Sequence, residues 1–208
     1  MDRMYRFQRH FYDASRKYYL LGRDRLISDM RISEGDHVLE VGCGTGRNLE
    51  ILARRYPDTR FYGLDASAEM LRNAERRKEG KSLRNMHVTR ALAEEFSHLD
   101  TFDLEDPFDV IFFSYSISMI PEWQAAMENA LENLKGGSPV YIVDFFDQRS
   151  MPAWFRRALV AWLKKFHVQY RPELIPHLKS LERNGKGSLK ITPLYKTYSF
   201  IAEFKKTP

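Results

Sequence analysis

The sequence predicts an α/β fold, a mainly parallel sheet with helices on both faces. Five short apolar runs alternate with segments of helical period. The first strand-to-helix turn is rich in glycine, and the fourth run is nearly continuous in apolar residues, as a strand buried on both faces must be.

Taken in order, residues 3–30 read as one or two helices, with Met4, Phe7, Phe11 and Tyr18 recurring at helical steps and a break at Gly22. H-V-L-E-V-G (37–42) is the first strand, and N-L-E-I-L-A-R-R-Y is the helix after it. R-F-Y-G-L-D (60–65) is the second strand, followed by the helix A-E-M-L-R-N-A-E-R-R. N-M-H-V-T-R (85–90) and F-D-V-I-F-F-S (108–114) are the third and fourth strands. The helix W-Q-A-A-M-E-N-A-L-E-N-L (123–134) stops at Gly136-Gly137, and S-P-V-Y-I-V-D-F (138–145) is the fifth strand. L-K-I-T-P-L and T-Y-S-F-I-A-E-F, within 189–204, close a seven-stranded sheet. The chain reads as a single domain over 1–208. It comprises a basic N-terminal helical lid (1–31), a core (32–148), a basic helical insertion (149–188) and closing strands (189–208).

At 208 residues, with 43% hydrophobic and 29% charged, the chain suffices for one domain with a sizeable core. No apolar run is long enough to span a bilayer, and M-D-R-M-Y-R-F has no apolar signal region. The single cysteine, Cys43, excludes an internal disulfide, and the expected compartment is the reducing cytoplasm. The six histidines show no metal-ligand spacing, so no metal is expected.

The net charge of +5 is segregated. Residues 1–31 hold eight Lys/Arg against four Asp/Glu, residues 32–148 hold 12 against 21, and residues 149–190 hold ten against two. An acidic centre is therefore flanked by basic segments that attract a polyanion, either nucleic acid or an anionic bilayer.

V-L-E-V-G-C-G-T-G-R-N sets Gly42, Gly44 and Gly46 at the first turn, where backbone can approach a ligand beyond the carboxyl ends of the strands. The spacing GxGxG is one residue shorter than the dinucleotide fingerprint. Glu40 lies two residues before the first glycine, and Asp65 closes the second strand, placed to accept from a ribose diol.

E-V-G-C-G-T-G followed by G-L-D resembles the cofactor motifs of Rossmann-like class I S-adenosylmethionine-dependent methyltransferases. The resemblance implies that Gly42 to Gly46 wrap the methionine part of the cofactor, and Glu40 is expected among the cofactor-binding residues. It also implies that Asp65 binds the ribose, Ala66 and Met70 flank the adenine, and Ser114 closes the cofactor side; the product is S-adenosylhomocysteine. Many relatives carry Asp-Ala after the third strand. Here Leu92 stands where that Asp would fall, so the adenine contact is expected from backbone at Ala93 and Glu94.

The acceptor side is expected from S-Y-S-I-S-M-I-P (114–121). The chain lacks the N/D-P-P-Y/F grip for planar amides and a Pro-Cys nucleophile, which makes nucleic-acid bases poor acceptors. Y-D-A-S-R-K-Y-Y-L-L-G-R-D-R-L, the glycine loop and F-F-S-Y-S-I-S-M-I-P together resemble the bacterial N-methyltransferases of betaine-lipid synthesis. Those enzymes convert diacylglyceryl homoserine to diacylglyceryl trimethylhomoserine. Bacterial phosphatidylethanolamine N-methyltransferases are similar in size and plan. The resemblance implies a lipid-headgroup substrate and peripheral contact with the inner, anionic face of the membrane, with no nucleic-acid partner. The aromatic and basic residues of 11–26 and of M-P-A-W-F-R-R-A-L-V-A-W-L-K-K-F (151–166) suit such an interface, although the latter equally suits a helix packed on the sheet.

Methyl transfer to an amine needs orientation and removal of a proton. Tyr115, Ser116 and Asp144 are candidates to relay it, and each equally suits a structural hydrogen bond. Tyr18 and Tyr19 are candidate lid residues, Tyr19 forming an aromatic cage with Tyr115 for a quaternary ammonium. Arg23 suits a lipid carboxylate or phosphate, or an ion pair with Asp13 or Asp24.

Overall fold

The structure, a computed structural model, describes residues 20–152, 154, 157, 161 and 170–208. Its elements run α1 (Arg23–Asp29), β1 (His37–Val41), α2 (Arg47–Arg55), β2 (Arg60–Asp65), α3 (Ala68–Lys81), β3 (Met86–Arg90) and α4 (His98–Phe102). They continue with β4 (Val110–Ser114), α5 (Trp123–Glu132), β5 (Pro139–Phe145), α6 (Leu174–Arg183), β6 (Gly187–Leu194) and β7 (Ser199–Lys206). The seven strands form one sheet in the order β3-β2-β1-β4-β5-β7-β6. The first five are parallel, and β7 is inserted antiparallel between β5 and β6. The expected seven-stranded, mainly parallel sheet is what forms.

Alternation along the strands fills two cores. Val38, Phe61, Phe112 and Val143 face one layer, with Leu26 of α1, Leu49 and Leu52 of α2 and Ala74 of α3. Leu39, Leu64, Phe113 and Ile142 face the other, with Met127 and Ala130 of α5 and Leu178 of α6. Phe61, Phe112 and Phe113 are fully buried, each contributing about 1.5–3 kcal/mol over an exposed position.

Local chemistry sets the helix ends. Ser67 starts α3 by accepting from the Met70 N–H at 3.4 Å. α2 ends on Arg54 and Arg55, cations that suit the negative end of its dipole. The sheet order reverses between β1 and β4, and at that switch point the carboxyl ends of the strands open a crevice. Gly22, the expected break, has φ 101 and caps α1, and a side chain there would strike Leu194 Cδ1 at 2.8 Å; the helical piece expected before it lies outside the described residues.

Candidate active site

The loop joining β1 to α2 holds three left-handed glycines, Gly42 (φ 75), Gly44 (φ 56) and Gly46 (φ 72). At Gly42 an added Cβ would lie 2.5 Å from Ser116 Cβ, and at Gly46 it would lie 2.7 Å from Met86 Cε. Glycine is required there by conformation and by close packing together.

Asp65, at the end of β2, organises this loop. The Gly44 N–H donates to Asp65 Oδ2 at 2.8 Å, and the Ser67 N–H donates to Oδ1 at 2.8 Å. Glu40 is buried beneath the loop and accepts from Asn48 Nδ2 at 2.7 Å. Two clamps are not legible in the sequence. Arg77 of α3 donates to the Thr45 carbonyl at 3.1 Å and pairs with Glu50 at 2.9 Å. Asn129 donates to the carbonyls of Ala93 and Phe96 at 3.2 and 2.9 Å, fixing the segment after β3. Both reach carbonyls far away along the chain, so no local spacing announces them.

The other residues expected on this side frame the same rim. Ala66 is exposed, Met70 is buried in the first turn of α3, and Glu94 is half-buried beside buried Ala93. Leu92, in place of the usual acid, is 42% exposed. The Ser114 hydroxyl is buried at the end of β4 with no hydrogen-bond partner among the described residues. An orphan hydroxyl at the switch point, a fixed carboxylate and a left-handed glycine turn fit a ribose-bearing, zwitterionic cofactor such as S-adenosylmethionine. Cys43 lies inside the loop, and burial holds its thiol well above its ordinary range, beside Asp65 and Glu40. It is a packed, inert side chain.

Across the crevice, Tyr115 adopts φ 57 and is buried, its ring edge-on to Phe145 at 4.8 Å. Its hydroxyl donates to the Leu21 carbonyl, which also accepts from Ser199 Oγ at 3.0 Å. Burial raises that phenol well above its usual range, so at neutral pH it is a donor. Ser116 is buried with its hydroxyl committed to the Val41 carbonyl at 2.6 Å, locking the post-β4 segment onto the glycine loop.

Asp144 is buried at the end of β5 and accepts from the N–H groups of Ser118 (3.0 Å) and Phe145 (2.8 Å). Burial raises its carboxyl to about 6, outweighing those donors and the nearby Arg171 charge. Arg171 reaches the same segment, donating to the Ile120 carbonyl at 3.0 Å. Arg23 is half-buried and close enough for its charge to act on Tyr115. Asp24, one of the partners expected for Arg23, pairs with Arg47 at 3.0 Å and so ties α1 to the start of α2. Tyr18 and Tyr19 lie outside the described residues, as do Asp13 and most of 151–166. Leu20 and Leu21 nevertheless bring the chain to the crevice just after those tyrosines. Among the described residues no His/Cys/Asp/Glu group could hold a metal, and no helix is long and apolar enough to cross a membrane.

Comparison with known proteins agrees with this geometry. The sequence model of a family described as "methyltransferase domain" matches residues 32–191. A trans-aconitate 2-methyltransferase of Afipia carboxidovorans is 27% identical over 147 residues, 71% of this chain and 52% of that protein. The chain thus spans about half the length of that curated relative. A demethylmenaquinone methyltransferase of Listeria welshimeri is 23% identical over 192 residues, covering 88% of this chain and 78% of its own. The apo crystal structure of the S-adenosylmethionine-dependent methyltransferase SibL superposes with a TM-score of 0.70 at 20% identity. That superposition covers 95% of this chain and 58% of SibL, and carries the fold alone.

Proposed function

This chain belongs to the methyltransferase domain family with S-adenosylmethionine as its cofactor, and from that premise we propose that it trimethylates the amine of diacylglyceryl homoserine. Its relatives named above act on trans-aconitate and demethylmenaquinone, two unlike acceptors, so acceptor identity is argued from this chain's own residues.

The observation that carries the proposal is the anchoring of the N-terminal segment. Tyr115 and Ser199 hold Leu21 over the carboxyl ends of β4 and β5, beside the glycine loop. The described end of the stretch that resembles the betaine-lipid enzymes, from Leu20 to Leu26, therefore lies beside the cofactor crevice. A cationic, aromatic entrance suits a headgroup presented from an anionic surface.

When bound, S-adenosylmethionine supplies an electrophilic methyl group on a sulfonium. The residues around it orient and protect: Asp65 and the glycine loop hold the nucleoside and amino-acid ends, with Glu40, Ala66, Met70, Ala93, Glu94 and Ser114 lining them. The Ser116 clamp keeps the acceptor segment against that loop. Of the acceptor-side groups, Asp144 has the basicity to take up a proton near neutral pH, whereas the Tyr115 phenol remains a donor. Arg23 supplies a cation for the acceptor's carboxylate, and Tyr18, Tyr19 and the Tyr115 ring are the residues proposed to contact the methylated nitrogen. The site needs no metal and no nucleic acid, and the enzyme works at the cytoplasmic membrane face.

A second acceptor, phosphatidylethanolamine, offers the same amine on a phosphate-bearing headgroup, which Arg23 would suit equally. Lipid mass spectrometry after expression with each precursor separates them. Trimethylated homoserine lipid is expected. Trimethylated ethanolamine lipid alone transfers the assignment to the second acceptor, and neither product removes the lipid-acceptor proposal.

A further inference from the structure

The turn between β6 and β7 combines three properties that nothing in the cofactor site requires. Tyr195 (φ 48), Lys196 (φ 52) and Thr197 (φ 61) are consecutive left-handed residues, and none is glycine. Such backbone is rare for side chains with a Cβ, most of all for β-branched Thr. The turn is nonetheless well held. The Tyr198 N–H donates to the carbonyls of Leu194 (3.1 Å) and Tyr195 (3.2 Å). The Thr197 carbonyl accepts from the Gln148 N–H at 2.9 Å, and its hydroxyl accepts from the Ser150 N–H at 3.3 Å.

The turn presents Tyr195 at 52% exposure beside Lys196, which makes no ion pair among the described residues. Of the other exposed large aromatics among those residues, Tyr170 lies at the same end and Trp154 follows closely in sequence after the turn's partner Ser150. Trp154, 71% exposed, follows four residues after Ser150, which the turn holds. Tyr170, 39% exposed, lies within electrostatic range of Asp147 and Arg149, on either side of Gln148. Arg25 of α1 is similarly close to Tyr195. Register places this end: Phe145 pairs with Ser199 and Ser199 with Leu194, so the turn projects beyond the carboxyl end of β5, on the crevice side of the sheet.

We propose that the Tyr195–Thr197 turn is a rigid membrane finger which, with Trp154 and Tyr170, docks the crevice mouth on an anionic bilayer. Amphipathic aromatics beside cations favour a bilayer interface, with rings at the headgroup boundary and ammonium groups on the anionic surface. Lys196 supplies the complementary charge at this end, with Arg25 and Arg149, each paired to an aspartate, beside it. Docking this end would set the acceptor side of the site against the surface that carries its substrate. The assignment rests on the lipid-acceptor proposal above and adds the element that makes contact.

The test exploits the left-handed backbone. Glycine suits all such positions, so Y195G/K196G keeps the turn while removing its ring and its cation. The full chain is sedimented with phosphatidylglycerol vesicles, with phosphatidylcholine vesicles and with single-stranded RNA, alongside thermal unfolding and S-adenosylhomocysteine binding. The wild type should prefer the anionic vesicles, and Y195G/K196G should bind them about tenfold more weakly. Its cofactor affinity should be unchanged and its thermal midpoint equal or higher. Equal vesicle binding by the two proteins overturns the finger, as does wild-type retention by RNA and not by vesicles. The two proposals fail separately. If lipid is methylated while the variant sediments like the wild type, only the finger falls. If the variant loses vesicle binding but no lipid amine is ever methylated, the finger stands and the acceptor assignment falls.

Discussion

Around the glycine loop every left-handed residue is glycine, whereas across the crevice residues with a Cβ take that backbone. On the cofactor side, Asp65 takes two N–H groups, Arg77 takes the Thr45 carbonyl, and Glu40 takes Asn48. Every left-handed residue in that loop is glycine. On the proposed acceptor side, Tyr115 and Gln148 are left-handed without being glycine, and the Leu21 carbonyl accepts from two hydroxyls. The cofactor half is built to hold one rigid shape. The half proposed for the acceptor spends conformational energy on placing particular side chains, as sites that select a substrate commonly do.

The largest expected effect breaks the rigid half. Asp65→Ala removes the acceptor for Gly44 and Ser67 together with the group proposed to hold the ribose. Each charge-assisted bond contributes about 1.5–3 kcal/mol, so cofactor affinity should fall by about 3 kcal/mol. Calorimetric titration with S-adenosylhomocysteine measures it. Unchanged affinity would place the cofactor elsewhere.

Asp65 is legible in the sequence, and the reason is local. A strand that ends in an acid, after a strand that ends in glycines, is a pattern of adjacent residues. The same holds for the sheet: β1, β2 and β5 fall within a residue of the apolar runs, because period-two burial is written in the chain itself. Arg77 and Asn129 are invisible there for the opposite reason. Both sit in helices whose periodicity reports which face is buried, and periodicity is silent on which distant carbonyl a polar side chain meets. The Tyr195–Thr197 turn is hidden too, since no sequence rule places Tyr, Lys and Thr together in left-handed backbone.

The second prediction sharpens the contrast through pH. Burial raises the Asp144 carboxyl from 3.8 to about 6, so the folded state binds that proton more tightly than the unfolded chain. Its contribution to stability is therefore full below about pH 4 and is lost as pH rises through about 6, a difference of about 3 kcal/mol. Asp144→Asn cannot ionise and should lack this slope. Urea unfolding of both proteins between about pH 4 and pH 7 measures it. Parallel stability curves would mean that the carboxylate is better solvated than its burial indicates.

The smallest effect concerns Tyr115, and it separates the anchor from the proposed cage. Tyr115→Phe deletes the hydroxyl that donates to the Leu21 carbonyl but leaves Ser199 as a second donor and keeps the ring against Phe145. Because the carbonyl stays satisfied, the cost should be about 1 kcal/mol in stability, read from thermal unfolding. The methylation pattern then reports on the ring. A trimethylammonium group cannot donate a hydrogen bond and is held by aromatic faces, at about 1–2 kcal/mol for each desolvated contact. Tyr115→Phe should therefore retain the full course to trimethylated product, whereas Tyr115→Ala should slow the later methylations most, and mono- and dimethylated lipid should accumulate. If the Phe variant stalls at the same intermediates as the Ala variant, the hydroxyl and its hold on Leu21 matter, and Tyr115 serves the acceptor by anchoring the lid. If both variants keep the wild-type product ratio, Tyr115 is a packing residue of the core, and the cage must be built from the N-terminal tyrosines alone.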